Sequence, residues 1–404
     1  MKMVAVLPAL AVMIVSVGAS PQVKEAPTKT IDADIISRAG PGGFVHPGVF
    51  VGSEHIKRMA SKVKDKKEPW TAAYHALEAH PFAIRTGPKP FSTVECGPTS
   101  TPNVGCTDET ADAMAAYANA LMWAATGKKG KAQQAIKFMN AWAKTIKAHT
   151  NKNAPLQAAW AAVDWVRAAE IIRYTGAGWR EKDIKAFENM LRNVYLPLVK
   201  KGSTNPNNWA LALDEATVSI AVFLGDRSTY DEAINRFIRN TAQYFYLSKD
   251  GDRPIKPDGM TYEYLDSKNV WNGQIARKLV DGMGMEICRD LKHTGYAIAS
   301  VSHVMETSRI QGQDLYKEET GTRLREALEF QTMYDPNGGA APVPEWLCNG
   351  TLSKNLDDVT EPGWSEWRDK RKGNMPNVLK FTRARRPARA NSFFIGWETL
   401  THAR

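Results

Sequence analysis

The chain has 404 residues, 43% of them hydrophobic and 24% charged, a composition that is ordinary for a soluble globular protein. This length allows one large domain or two medium ones, and no segment beyond the N-terminus stays apolar for long enough to span a membrane. The formal net charge of +10 favours acidic partners, namely nucleic acid, an anionic membrane or an acidic polysaccharide.

The first 19 residues are typical of a secretory signal peptide. Met1 and Lys2 precede the apolar run 4–17, and the small residues Gly18 and Ala19 follow it. We therefore expect a secreted, extracellular protein that acts as a monomer. Export argues against nucleic acid and against a membrane as partners, and it leaves an acidic polysaccharide as the expected one.

Residues 20–44 carry Pro, Lys, Thr and Gly with little periodicity, which is typical of a linker or a mobile N-terminal segment. The composition does not change again after this segment, so the sequence predicts a single domain over 45–404. The first short helix of that domain is predicted at 53–64.

Four cysteines in an exported chain favour disulfides. Cys96 and Cys106 flank a short loop rich in Pro and Gly, which suits a local bridge and leaves Cys288 and Cys348 for a long-range one. Four cysteines permit three connectivities, so this pairing is a preference. No two cysteines have the close spacing of zinc ligands, and we expect neither a metal nor another cofactor. Asn349 opens an Asn-Gly-Thr sequon, which a eukaryotic host would glycosylate.

From residue 110 onward, apolar residues recur at helical spacing in one segment after another. The predicted helices cover 110–126, 131–146, 156–174, 184–199, 209–224, 230–246, 274–288, 289–309 and 314–333. Many of them are joined by short connectors rich in Gly, Asp, Ser or Lys. Strand-like alternation is scarce, and its best candidate is the segment 392–397.

Long helices joined by tight turns form antiparallel hairpins. Such hairpins, repeated around an axis, give an all-α (α/α) toroid in which inner helices surround a cleft. The helices are too many and too long for a four-helix bundle, and the lack of an exact sequence repeat argues against a solenoid. We therefore predict an (α/α) toroid, or incomplete barrel, with at most a few short strands.

The segment 288–296 places unusual chemistry on a predicted helix. Arg289, His293 and Tyr296 are spaced i, i+4 and i+7, so in a helix their side chains share one face. A cation, an imidazole and a phenol thus project together, and we predict that this face lines a substrate cleft. The alternative is a buried polar cluster in which His293 and Tyr296 bond to each other or to nearby backbone.

Asn207 and Asn208 stand directly before Trp209, where a helix is predicted to begin. Asparagine is a preferred N-cap, so one of the two could serve only as a cap. A second amide beside a helix N-terminus could donate hydrogen bonds to a bound carboxylate, which the helix dipole also favours. We assign that function to Asn208 and count Asn207 among the substrate contacts.

Four other residues are candidate substrate contacts. Gln157 and Trp160 lie one helical turn apart, an arrangement in which a sugar ring can stack on the indole and hydrogen-bond to the amide, although Trp160 could equally belong to the core. Tyr262 and Tyr264 alternate at the end of the charged segment 249–264, where they could form a lid over a cleft.

A family resemblance lies in the segments NNWALALDEATVSIAVFLGD, GMEICRDLKHTGYAIA, ETSRIQGQDLY, PVPEWLCNGTL and GWETLTHA. Over residues 105–402 the chain resembles the alginate lyase superfamily of polysaccharide lyases. The most specific part of the resemblance is the cluster of Arg289, His293 and Tyr296 together with the upstream asparagine pair. The resemblance implies an (α/α) toroid that cleaves uronate polymers by β-elimination.

The chemistry that the resemblance implies suits these residue types. Elimination removes the C5 proton beside a carboxylate, so donors such as Asn208, assisted by Arg289, must neutralise the developing enolate-like charge. Tyr296 would protonate the departing O4, and it would also take the C5 proton where both groups lie on one face of the sugar, as in mannuronate and glucuronate. His293 would be a partner base or an orienting group. The charge of Arg289 would lower the pKa of Tyr296.

The chain departs from the family pattern at two places. Some relatives have histidine directly after the paired asparagines, where this chain has Trp209, and His293 could take over that function. Near the C-terminus relatives often have a segment rich in Tyr and His, where this chain has Trp-Ser-Glu-Trp-Arg at 364–368. We expect a reshaped subsite there and a polyuronate substrate that is either alginate, as mannuronan, or glucuronan.

A glycoside hydrolase on the same helical fold is the first alternative function. It would need two carboxylates across a cleft. The candidates are Asp214, Glu215, Asp258 and Glu263. Asp214 and Glu215 are neighbours within a predicted helix, so their side chains point in different directions.

A secreted protein that binds polyanions without catalysis is the second alternative. Its contacts would be Lys200, Lys201 and the basic run 383–389. Such a run is more often a solvated surface than a binding site, so we assign none of these residues to the site.

Overall fold

The computed structural model of the protein describes residues 38–404. The predicted signal peptide and the predicted linker up to residue 37 lie outside the described residues. The last part of that linker belongs to the fold, because strand β1 (Arg38–Ala39) pairs antiparallel with β2 (Val45–His46), and Phe44 is fully buried with its ring 5.1 Å from that of Tyr230. The folded unit therefore begins before residue 45.

Helices make up most of the described chain, as predicted. They are α1 (Ser53–Lys64), α2 (Trp70–Glu78), α3 (Cys106–Thr126), α4 (Lys129–Thr145), α5 (Ala154–Tyr174), α6 (Glu181–Met190), α7 (Leu196–Val199), α8 (Asn208–Leu224), α9 (Arg227–Tyr244), α10 (Tyr262–Leu265), α11 (Leu291–Ile310), α12 (Glu319–Met333), α13 (Glu361–Ser365), α14 (Pro376–Ala384) and α15 (Glu398–His402). Single π-helical turns, Leu191–Tyr195 and Glu366–Lys370, follow α6 and α13. Short 3-10 turns lie at Pro41–Gly43, Pro98–Ser100, Ser248–Asp250, Leu315–Lys317 and Cys348–Gly350.

A small sheet lies at one end of α3 and α5. Its strands are β3 (Thr93–Cys96), β4 (Asn103–Val104) and β5 (Ala148–Thr150), in the order β4-β3-β5. The β3–β4 pair is antiparallel and the β3–β5 pair is parallel. The sheet holds the Cys96 loop against the helices, and the prediction of a few short strands is confirmed.

The helices form two layers, which differ in how much of each helix surface is buried. Helices α3, α5, α8 and α11 are buried on nearly all sides, whereas α4 and α9 bury one stripe and expose the rest. Alanine, which is frequent in α3 and α5, lets neighbouring helices approach closely and has the highest helix propensity. The fully buried helices are therefore the inner ones.

The inner helices follow one another around an axis. α3 packs against α5, α5 against α8, and α8 against α11; α11 then contacts α13, which reaches α1 through α15, and α1 returns to α3. The Arg58 guanidinium of α1 donates to the backbone oxygen of Thr401 in α15 at 3.2 Å, which joins the two ends of the ring. This arrangement confirms the predicted (α/α) toroid. Within residues 38–404, no helix combines the length and the apolarity that a membrane crossing requires.

Two predicted elements are wrong. The segment 274–288 is irregular, because Gly282 has a positive φ of 87° and packs against the backbone of Glu326, where a Cβ would lie 2.2 Å from the carbonyl oxygen. Its backbone pairs instead with the end of α9, through hydrogen bonds such as Met285 N–H to Tyr244 O at 2.9 Å. The segment 392–397 is not a strand, because the side chain of Asn391 accepts from three successive backbone N–H groups and turns the chain.

Candidate active site

A buried carboxylate, Glu286, connects the N-terminus of α8 with the segment that precedes α11. Its Oε2 accepts from the backbone N–H of Asn208 at 2.8 Å and from the Tyr244 hydroxyl at 3.0 Å. Its Oε1 accepts from Arg289 Nη1 at 2.7 Å, and the Asn208 amide donates to both oxygens. A fully buried carboxylate is stable only with such a set of donors, so Glu286 fixes the positions of Asn208 and Arg289.

The two asparagines at the start of α8 have different functions in the structure. Asn207 is the N-cap, and its Oδ1 accepts from the Trp209 N–H at 3.1 Å. Asn208 is buried, and the contacts of its amide nitrogen are with Glu286. Asn207 thus serves as the cap, whereas the amide nitrogen of Asn208 is held by both oxygens of Glu286.

Arg289 does not share the helix with His293 and Tyr296, contrary to the sequence prediction. Asp290 is the N-cap of α11 in an extended conformation, with φ −174° and ψ 154°, so the helix begins only at Leu291. The Arg289 side chain is 28% exposed, and its Nη1 bond to Glu286 is the one hydrogen bond of its guanidinium within residues 38–404. Arg289 thus reaches the site from the segment before the helix, held by Glu286.

His293 is oriented by the same N-cap. Asp290 Oδ1 accepts from the His293 backbone N–H at 2.9 Å and from its Nδ1 at 2.7 Å, while Oδ2 accepts from Lys354 Nζ at 2.9 Å. Burial alone would raise the pKa of Asp290, but the hydrogen bonds from His293 and Lys354 outweigh it and hold that pKa well below its usual value. The side chain of His293 is 23% exposed, so the imidazole is anchored on one side and accessible on the other.

Tyr296 lies one turn further along α11 and is surrounded by rings. The His293 ring centroid is 5.7 Å away, and those of Trp160, Phe393 and Phe394 are each 5.9 Å away. The residue is only 5% exposed, and its hydroxyl makes no hydrogen bond to the described residues 38–404. The phenol is therefore placed in an apolar cage with its oxygen available to a ligand.

The predicted effect of Arg289 on Tyr296 is wrong. Burial raises the pKa of Tyr296 far above its usual value, and the charges of Asp357 and Asp290 raise it further. The Arg289 charge does not offset this rise, because it is paired with Glu286. Tyr296 is consequently a neutral phenol at neutral pH.

Trp160 and Gln157 lie one turn apart on α5 but have different surroundings. Trp160 is half-buried and contacts the Tyr296 cage, with its ring 4.5 Å from that of Phe393. Gln157 is buried and donates both to Glu109 Oε2 at 2.7 Å and to the Cys106 backbone oxygen at 3.0 Å. The amide of Gln157 is thus committed to the protein, and the substrate contact predicted for it is wrong.

The predicted lid residues lie on α10. The Tyr262 hydroxyl donates to the Pro254 backbone oxygen at 3.3 Å, and the Arg253 guanidinium lies over its ring at 4.8 Å. Tyr264 is 45% exposed. These contacts fix Tyr262 within its own segment, and a lid function for Tyr262 and Tyr264 stays a prediction.

Both preferred disulfides are present, Cys96–Cys106 and Cys288–Cys348. The second one bears on the site, because Cys288 immediately precedes Arg289 and Cys348 begins a loop that runs along the start of α11. In that loop Ser353 accepts from the Leu291 N–H at 3.0 Å through its backbone oxygen. Asn349, which opens the predicted sequon, is exposed at the turn of this loop.

The segment 364–368 begins in the core. Trp364 lies in α13 and is 3% exposed, and the guanidinium groups of Arg368 and Arg386 lie over its ring at 5.0 and 5.2 Å. Trp364 therefore belongs to the core, and a subsite reshaped by the rest of the segment stays a prediction.

A second polar cluster has the composition of a metal site but not its free lone pairs. His55, Glu306 and His402 are buried with their ligand atoms within 4.8 Å of one another. His55 Nδ1 accepts from the Gly52 N–H at 3.1 Å, so its Nε2 carries the proton and donates to Glu306. His402 Nε2 faces the Phe50 carbonyl oxygen at 3.2 Å and must donate as well. These hydrogen bonds make the cluster structural.

The sequence prediction missed three residues that shape the site. Glu286 contacts residues of α8 and α9 that are distant in sequence, so no local pattern indicates it. Asp357, whose backbone passes close to Gly295 of α11, raises the pKa of Tyr296 through its charge. Asp290 was detectable, since aspartate is a preferred N-cap and it stands directly before the first residue of the helix.

Comparison with known proteins gives a consistent family. The model of the alginate lyase family matches residues 64–338 of this chain. An alginate lyase from Bacteroides ovatus is 16% identical, with a TM-score of 0.53 over 89% of this chain and 100% of its own. Alginate lyase A1-III from Sphingomonas species A1 is 14% identical, with a TM-score of 0.56 over 88% of this chain and 95% of its own. A complex of A1-III with a tetrasaccharide superposes equally well. No curated protein sequence matches the chain.

Proposed function

The chain belongs to the alginate lyase family and is a polysaccharide lyase, and on this basis we propose that it cleaves a uronate polymer by β-elimination at Asn208, Arg289, His293 and Tyr296. One observation carries the proposal. The buried Glu286 holds Asn208 and Arg289 together beside the start of α11, which carries His293 and Tyr296 one turn apart.

Asn208 and Arg289 bind the C6 carboxylate of the uronate in this proposal. Both are held by Glu286, and within residues 38–404 the Arg289 guanidinium makes no hydrogen bond other than the one from Nη1 to Glu286. The N-terminus of α8 adds the positive end of its dipole at the same place. Withdrawing charge from the carboxylate acidifies the C5–H bond and stabilises the enolate-like intermediate, which is the electrostatic requirement of the reaction.

His293 takes the C5 proton and Tyr296 supplies a proton to O4. The C5–H electron pair becomes the C4=C5 double bond, the C4–O4 bond breaks, and O4 leaves with the phenol proton. Burial keeps Tyr296 protonated, which supports its use as the acid. The two rings are 5.7 Å apart, close enough for both to reach one sugar ring.

The relative positions of the two groups favour particular uronates. His293 and Tyr296 project from the same helix one turn apart, so they approach a bound sugar from the same side. In mannuronate and glucuronate the C5 proton and O4 share a face, whereas in guluronate they lie on opposite faces. We therefore propose mannuronan or glucuronan as the substrate, with Trp160 as a platform for a sugar ring.

The hydrolase alternative fits the structure less well. Asp214 is buried against Arg236 at 2.5 Å and Asn240 at 2.7 Å, and Glu215 is buried against Arg167 at 2.7 Å. Neither carboxylate faces an open cleft, as a hydrolytic acid or base must.

The binding-protein alternative also loses its main contact surface. In the basic run 383–389, Arg385 and Arg389 pair with the carboxylate of Asp358 at 3.1 and 2.8 Å, and Arg386 pairs with Glu361. These guanidinium groups hold the C-terminal segments together, and they are not a free stripe of positive charge.

We further propose that the enzyme acts outside the cell. The two disulfides support this location, because such bridges persist in oxidising compartments.

A substrate screen tests the proposed function. Purified full-length protein is incubated with mannuronan, guluronan and glucuronan, and both ultraviolet absorbance of the conjugated C4=C5 bond and new reducing ends are followed. We expect absorbance to rise with mannuronan or glucuronan and to lag with guluronan. New reducing ends without absorbance would mean hydrolysis, and no cleavage of any of the three polymers would contradict the proposed substrate class.

A further inference from the structure

Asp290 is placed to control His293 rather than to contact a substrate. Its side chain is 7% exposed, and both of its oxygens are occupied. One oxygen accepts from the His293 backbone and ring, at 2.9 and 2.7 Å, and the other accepts from Lys354 Nζ at 2.9 Å. The carboxylate therefore faces the inner edge of the imidazole and is itself fixed from the opposite side.

This contact determines which imidazole nitrogen can act as a base. An ionised carboxylate only accepts hydrogen bonds, so His293 Nδ1 must carry the proton that it shares with Asp290. In the neutral imidazole the lone pair is then on Nε2, which makes no hydrogen bond to the described residues 38–404. The nitrogen on the accessible side of the ring is thus the basic one.

We infer that Asp290 is a positioning residue of this lyase, which holds His293 in the Nδ1–H tautomer, presents Nε2 to the C5 proton and stabilises the imidazolium that forms. The inference rests on the proposed function, because it assigns the base of the same reaction. Lys354 assists Asp290 in two ways. Its ammonium group keeps the Asp290 carboxylate in place, and its positive charge compensates that of the carboxylate next to an anionic substrate.

The loop from Cys348 to Lys354 supports this arrangement at three further points. The Cys288–Cys348 disulfide fastens its start, the Ser353 backbone oxygen accepts from the Leu291 N–H at 3.0 Å, and the Ser353 hydroxyl donates to the Arg289 backbone oxygen at 3.1 Å. The loop therefore fixes residues 288–291, which lead into α11. Arg289 and His293 are positioned by the same loop.

The charged groups around His293 are few enough to allow a pH test. Asp290 and Lys354 face its inner edge, and Tyr296 packs against its ring. Asp357, from the segment that crosses α11, acts on Tyr296 and has Lys292 nearby. Of these groups, only Asp290 is hydrogen-bonded to the imidazole.

The test is Asp290→Asn in the full-length protein. Asparagine is as good an N-cap as aspartate, so the variant should fold and melt like the wild type. With its oxygen kept on the His293 N–H and Nδ1, the amide still caps the helix but carries no charge that stabilises the imidazolium. We expect kcat to fall by about ten- to a hundredfold with KM changed by less than about threefold, and the acidic limb of the kcat/KM profile to move to lower pH.

Asp226→Asn is the matched control. Asp226 caps α9 in the same way, accepting from the Thr229 N–H at 3.1 Å, and it lies outside the site. The control should leave kcat and the pH profile unchanged. Wild-type kcat in Asp290→Asn, or an equal loss in Asp226→Asn, would overturn the inference.

A second comparison shows whether Asp290 acts through His293. In a His293→Ala background, Asp290→Asn should cause no further loss of kcat, because its target is gone. A full additional loss would show that Asp290 acts independently and would overturn the inference. If His293→Ala keeps wild-type kcat while Tyr296→Phe is inactive, the inference fails and the proposed lyase function stands. If none of the polymers yields an unsaturated product even with the wild type, the proposed function itself fails.

Discussion

The carboxylate of Glu286 accepts hydrogen bonds from both the backbone N–H and the side-chain amide of Asn208, at 2.8 and 2.9 Å. Among the described residues, its other hydrogen-bond partners, Arg289 and Tyr244, are donors too. Both side-chain atoms at the end of residue 286 must therefore accept hydrogen bonds. A glutamine has the same shape, but its NH₂ group cannot accept, so it cannot replace Glu286.

Glu286→Gln is expected to damage both stability and activity. In either orientation its NH₂ group faces a donor, so the free energy of unfolding should fall by about 1–3 kcal/mol. Because Asn208 and Arg289 lose their common anchor, kcat/KM should fall at least about tenfold. Urea denaturation and initial rates measure the two effects. Glu188→Gln, which removes a partly exposed partner of Arg173, is the control and should cost less than about 1 kcal/mol with unchanged rates.

Tyr296→Phe is expected to remove turnover and keep binding. The hydroxyl has no protein partner within residues 38–404, so its loss should not change the melting temperature. Loss of the acid should lower kcat by at least about a hundredfold. Calorimetric titration with an oligouronate should give an affinity close to that of the wild type. Retained turnover would disprove the assignment. Tyr195→Phe, which loses a buried bond to Glu109 at 2.6 Å, should show the reverse pattern, reduced stability with normal kcat.

Stability should decline toward alkaline pH because of a buried carboxyl. Asp164 lies below the site on α5, its Oδ2 has no partner among the described residues, and burial, only partly offset by Arg167, raises its pKa to about 8. The unfolded chain releases this proton near pH 4, at about the model-peptide value, so the folded state loses up to about 1.4 kcal/mol for each pH unit between these two values. His303, whose pKa is raised by Glu215 against the effect of burial, acts in the same direction.

Asp164→Asn tests this pH dependence. The amide does not titrate, so the drop in melting temperature from about pH 5 to about pH 9 should be smaller in the variant than in the wild type. Thermal melts across that range measure the difference. An unchanged pH dependence would show that Asp164 titrates in the folded protein as it does in the unfolded chain.

The two disulfides should differ in what their removal does. Their cysteines are 60 residues apart for Cys288–Cys348 and 10 apart for Cys96–Cys106. Loop entropy predicts losses of about 4 and about 3 kcal/mol respectively when each pair is replaced by serine. Only the Cys288–Cys348 pair holds the loop that contacts Arg289 and Asp290, so only its removal should lower kcat in the folded protein. Equal kcat losses in both serine variants would contradict this function of the loop.

The sequence was sufficient to predict most of the helices, and the physical reason is local. Helices such as α3 and α8 bury apolar residues at a spacing that their own sequence displays, and Gly127 and Gly225 mark their ends. The segment 274–288 has similar spacing but is irregular, because its backbone bonds to the end of α9 and not to itself. A periodic pattern of apolar residues cannot show whether the backbone of a segment bonds to itself or to another element.

The site was predictable where its residues are neighbours in the chain. His293 and Tyr296 were found from their spacing, whereas Glu286 was missed because its contacts lie 78 and 42 residues away, at Asn208 and Tyr244. The same limit explains the error at Gln157, whose partner Glu109 is 48 residues earlier. A polar side chain can be assigned to a ligand or to the protein only when its distant neighbours are known.

The closure of the helical ring sets an order of events during synthesis. Helix α1 is made first among the ring helices, yet its neighbour α15 is made last of all the described elements, and the bond from Arg58 to Thr401 joins them across 343 residues. A chain that becomes available from its N-terminus can form the hairpins of α3 to α12 early. It cannot shield the flank of α1 that α15 covers until residues 398–402 are available, so a chaperone that binds exposed apolar surface should stay on this protein until α15 has packed.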